Sequence, residues 1–155
     1  MKGRRLLFSL ALASLVALAL AGAASAAKLD AADHGGRVLS TQLTGAAEVP
    51  AGDPNGSGTA TITVNPGQEE VCWEITVEEI TLPATAAHIH IGAAGTAPPN
   101  NVVVTLSAPD ASGFSSGCTT VGRDLALDIL QNPENYYVNV HNEPFPTGAI
   151  RGQLS

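Results

Sequence analysis

From Val38 onward, apolar and polar residues alternate in short runs separated by glycine and proline. Val38 to Leu43 makes a first strand. A turn-rich stretch, Gly45 to Gly58, follows, dense in the residues whose backbone angles or side chains favour turns. Thr59 to Val64 then alternates cleanly, with Ala60, Ile62 and Val64 on one face and three threonines on the other. That pattern is a β-strand with one wet face. After a turn at Asn65, Pro66 and Gly67, Val71, Trp73, Ile75 and Val77 point to the core while Cys72, Glu74 and Thr76 point outward, which completes a hairpin. Further strands are predicted over Ala87–Ile91, Asn101–Leu106, Tyr136–His141 and Ala149–Leu154, with a weak one near Cys118–Val121.

One segment departs from period two. Between Gly122 and Gln131, Leu125, Ile129 and Leu130 fall on helical spacing until Pro133 stops the run, which predicts one short helix over 122–131. Strand-sized runs with frequent breaks predict an all-β domain, an antiparallel β-sandwich or barrel of Greek-key-like order.

The first residues have a different composition. Lys2, Arg4 and Arg5 precede an apolar run from Leu6 to Ala21, and Ala24, Ser25 and Ala26 follow in a small-x-small pattern. This is the plan of a cleaved export signal over 1–26. It predicts a periplasmic or extracellular protein with no membrane association after cleavage. Residues 27–36, with His34, read as a linker, and 37–155 as the domain.

Cleavage after Ala26 leaves 155 minus 26, or 129, residues, enough for one domain with a core. It also removes three of the seven basic residues and none of the fourteen acidic ones, for a formal charge of −10 (4 minus 14). So acidic a chain repels nucleic acid and anionic surfaces, and nucleic-acid binding is excluded. Cys72 and Cys118, an even pair in an exported chain, favour a disulfide.

Chemistry concentrates on three of the four histidines. His88 and His90 are two apart on a strand and project from one face, while Ile89 and Ile91 project from the other. In the closing tract Val138 and Val140 share a face, and Tyr137, Asn139 and His141 share the opposite one. His88, His90 and His141 could therefore form an imidazole cluster for copper or zinc, with Glu48 the preferred fourth ligand. Alternatively, the three are hydrogen-bonded residues that fix loops. Arg151 and Asn139 are candidate structural or anion anchors, Arg151 through an acid such as Glu48 or Glu143 or through loop carbonyls. No nucleophile elbow, phosphate loop or HExxH motif is present, and the carboxylates are scattered. A catalytic role is not expected.

These residues together resemble the CHRD domain, the module named after chordin. The landmarks are Leu43-Thr-Gly45 with Glu48-Val-Pro50, Gly58-Thr-Ala60, Ala87-His-Ile-His-Ile-Gly92 with Gly95, and Tyr137-Val-Asn-Val-His141 leading into Pro146-Thr-Gly-Ala-Ile-Arg-Gly-Gln-Leu154. The resemblance covers about residues 38 to 154. It implies a single β-rich domain of a kind found in secreted bacterial proteins, and it says little about activity. Ala149 stands where an acidic residue often precedes Ile-Arg-Gly, which removes one possible partner of Arg151. The His-x-His strand is also similar to the copper-ligand strand of Cu/Zn superoxide dismutase, but the rest of that ligand set has no counterpart here. Two functions follow as expectations. One is an exported non-catalytic module that binds an extracellular protein or serves structurally. The other is a copper or zinc protein with a storage, delivery or redox-protection role.

Overall fold

The computed structural model describes residues 35–155. The expected signal, His34 and nearly all of the linker lie outside the described residues. Eight strands form one sheet: β1 (Arg37–Thr44), β2 (Ser57–Asn65), β3 (Glu70–Glu78), β4 (Ala86–Ile91), β5 (Val102–Leu106), β6 (Phe114–Thr120), β7 (Tyr136–His141) and β8 (Ile150–Gln153). The spatial order is β5-β4-β7-β8-β1-β2-β3-β6, and every neighbouring pair is antiparallel. The sheet curls into a nearly closed barrel. Its two edges, β5 and β6, share no strand ladder and meet instead through the loop that joins them. There Ser115 Oγ donates to Ser107 O at 2.6 Å and the Asp110 amide to Phe114 O at 3.1 Å.

The alternation seen in the sequence decides which face is inside. Ala60, Ile62 and Val64 of β2 and Val71, Trp73, Ile75 and Val77 of β3 are buried in one core with Leu39, Leu43, Ile89, Val138 and Val140. Each fully buried aliphatic side chain of this kind stabilises the fold by about 1.5–3 kcal/mol. A register slip by one residue would turn that whole set outward. The helix α1 (Arg123–Gln131) packs on β2 through Ala126 and Ile129, with Leu125 and Leu130 partly covered. No helix among the described residues is long and apolar enough to cross a membrane.

Two local expectations are corrected. The weak strand at 118–121 is a full strand over Phe114–Thr120. Its inward positions carry no apolar alternation because Trp73 fills their space. A Cβ on Gly117 would lie 2.7 Å from the Trp73 ring, and Ser115 Oγ accepts the Trp73 N–H at 3.1 Å. Ile91, expected inside with Ile89, is 43 % exposed at the end of β4. On β7 both faces are covered, since Tyr137 and Asn139 are buried along with Val138 and Val140. Cys72 and Cys118 stand opposite each other on β3 and β6 and form a disulfide, with Cα atoms 4.0 Å apart.

Candidate metal centre

Pairing of β4 with β7 builds the site. The register sets His88 opposite Asn139, His90 opposite Tyr137 and Ala86 opposite His141. On the outward face this makes a grid of two columns, His88 and His90 on β4 beside Tyr137, Asn139 and His141 on β7. A third column comes from β8, where Arg151 stands opposite Asn139 and Gln153 opposite Tyr137.

The three imidazoles converge. One ligand nitrogen from each of His88, His90 and His141 lies within 4.8 Å of the others. His88 Nδ1 and His141 Nε2 are 3.1 Å apart. Two nitrogens that share an ion at the usual Zn–N length sit roughly 3.3 Å apart in a tetrahedral arrangement, so this pair is already at the spacing of two ligands. His141 Nδ1 lies 3.1 Å from Pro146 O, where its N–H donates. That bond leaves Nε2 bare, so in the absence of metal it accepts the His88 Nδ1–H, and an ion held by the pair would take the place of that hydrogen. His88 and His141 are part-exposed, so the pair is open to solvent.

His90 is held differently. It is 7 % exposed, with Nδ1 2.8 Å from Asn101 Oδ1 and Nε2 3.0 Å from Asn139 Oδ1. Its ring stacks on Tyr137 at 4.8 Å with an interplanar angle of 3°. On the β8 side of that tyrosine, Arg151 Cζ lies 3.3 Å from the ring centre. Because β7 runs between β4 and β8, Tyr137 is sandwiched between an imidazole and a guanidinium.

Burial sets the charge of this face. It lowers His88 to a pKa of about 4, with His141 and His90 adding to the shift. Burial also lowers His141, against the pull of the Pro146 carbonyl. For His90, burial and the Arg151 charge push down while the two amide oxygens push up, and burial prevails. Unprotonated imidazoles are the form that binds metal.

Glu48 does not join the group. Its buried carboxylate hydrogen-bonds Asn139, lies against Gly148 and feels the charge of Arg151. Burial outweighs those contacts and pushes its pKa up to about 7. It therefore stands behind Asn139, one residue removed from the imidazoles. Arg151, also buried, donates to Thr96 O at 2.6 Å and Ala93 O at 3.1 Å, and so ties down the loop after β4. The second grouping of ligand-type residues, Glu70, Cys72 and Cys118, contains the disulfide and offers no thiolate. Asn101 was not foreseen. It follows two prolines at the start of a strand, and the only sequence signal was an Asn pair facing an apolar run.

Residues 39–154 match the CHRD domain. The chain belongs to the CHRD domain family. The matched span of this CHRD domain runs from β1 to just past β8, and it contains the histidines, Glu48, Asn139 and Arg151. No curated protein sequence matches the chain.

Proposed function

We propose that this CHRD domain is an exported, non-catalytic module that binds a copper or zinc ion through His88, His141 and His90. The observation that carries the reading is the 3.1 Å approach of His88 Nδ1 to His141 Nε2, with the far nitrogen of His141 anchored on a backbone carbonyl. Imidazole ligands suit copper and zinc and disfavour calcium and magnesium. A part-exposed pair on a rigid sheet lets an ion enter and leave without opening the core, which suits storage or delivery. Export is supported by the disulfide, since such bonds persist in oxidising compartments.

A second reading has one observation in its favour. Both nitrogens of His90 already have amide partners, as they would if the histidines served only to fix the loops around them. Thermal unfolding separates the two. An ion at a hundred times its Kd stabilises the fold by about 2.7 kcal/mol. Under the metal reading, Zn(II) or Cu(II) raises the Tm of the mature protein, and His88→Ala or His141→Ala removes the rise. If the wild-type Tm does not respond to either metal while both variants are destabilised without it, the structural reading stands.

A further inference from the structure

A recess of about 220 Å³ opens beside Arg151. Ala47 and Val49, from the segment after β1, line it together with Ala94 and Gly95, from the loop after β4. Glu48 and Arg151, 7 % and 1 % exposed, supply its charged groups. Glu48 hydrogen-bonds the Asn139 side chain and the Val49 backbone, yet its Oε1 is buried without a partner. A buried acceptor left alone destabilises the fold, and a donor brought to it removes that cost. Arg151 carries five N–H donors in the plane of its guanidinium. Among the described residues it uses three of them, on Thr96 O, Ala93 O and Gln153 Oε1. Tyr137 covers one face of that plane, so a ligand meets the edge, where the donors lie.

Charge and size narrow the ligand. Glu48 and Arg151 feel each other's charge and offset it, so the recess favours neither a cation nor an anion. The acid excess of the chain opposes anions further. Burial pushes Glu48 up to about 7, so near neutral pH its acid and its carboxylate are both present. A hydroxyl accepts from the first and donates to the second at one atom, where a carboxamide would have to turn over. The recess is smaller than the roughly 300–1,000 Å³ of sites for drug-sized molecules, and it suits one sugar ring. We propose that it binds a single neutral sugar unit, with one hydroxyl on Glu48 and a neighbouring hydroxyl on Arg151. The site shares no residue with the imidazole cluster and needs no ion.

Titration of the metal-free domain, residues 37–155, with glucose, galactose and mannose, followed by amide NMR, tests this. At least one sugar should give saturable shifts of the Ala47, Ala94 and Gly95 amides, with a Kd on the order of millimolar. Ala94→Leu fills the recess from an exposed position and should weaken that binding on the order of tenfold or more. Glu48→Ala, which removes the unpartnered oxygen, should do the same, and if it fails to fold Ala94→Leu still decides. His88→Ala/His141→Ala should bind the sugar as the wild type does. A disaccharide ending in the same sugar separates two sources. Equal affinity assigns the site to the end of a glycan, and loss of binding assigns it to the free sugar. No saturable shift with any of the three sugars, or equal binding by Ala94→Leu, overturns the site. The same shifts with acetamide overturn the hydroxyl chemistry.

Discussion

Burial moves the titrating residues of the polar face in opposite directions, and the sign of each sets how stability follows pH. His88 is lowered from 6.5 to about 4, and His90 and His141 are lowered as well. As pH falls from about 6.5 to 4, the unfolded chain takes up protons that folded His88 refuses, so stability is lost through that window. Glu48, raised from 4.5 to about 7, acts in reverse. Its folded state holds a proton that the unfolded state has released, so its contribution is present below pH 4.5 and is lost as pH rises through 7. The lowered exposed acids Asp110 and Asp128 act only below the window. Three histidines against one carboxyl predict a urea midpoint that falls from pH 6.5 to pH 4, and falls more steeply in Glu48→Gln. A flat profile in both proteins would contradict this. The histidine face was legible from period two alone. The place of Glu48 was not, because its partner is Asn139, and a loop residue has no register from which its contacts can be read.

The strands read best where the sheet has a single apolar face, as in β2 and β3, whose inward and outward sets follow from alternation. β6 was largely hidden, because its inward residues Ser115 and Gly117 are small to make room for Trp73. β7 differs in another way. Its polar side chains are covered by the loops that Arg151 and Glu48 help to hold, and no strand pattern reveals a loop folded over it. The edge position of β6 gives the disulfide its importance, since β3 is its only ladder partner among the described residues. A bridge across 46 residues stabilises by about 3–4 kcal/mol on loop-closure grounds. The Cys72→Ser/Cys118→Ser double variant should lose that much in urea unfolding, with β6 amides the first to exchange hydrogen. A loss under about 1 kcal/mol would show that the bridge adds little to the barrel.

At the scale of the molecule, the described residues form one antiparallel sheet that curls around a core built from one face of each strand and leaves the three imidazoles on its outer face. The core contains none of the three imidazoles, so the protein should fold without metal, unlike small domains whose folding is metal binding. Family membership was legible as ordered landmarks along nearly the whole domain, and the histidines among them now have positions relative to one another. The direct measurement is calorimetric titration of the domain, residues 37–155, with Cu(II) and Zn(II), beside the His88→Ala/His141→Ala variant. One equivalent should bind the wild type, and the variant should bind roughly a hundredfold or more weaker, since it lacks both nitrogens of the 3.1 Å pair. Equal binding by the two proteins, or none by the wild type, would contradict the assignment.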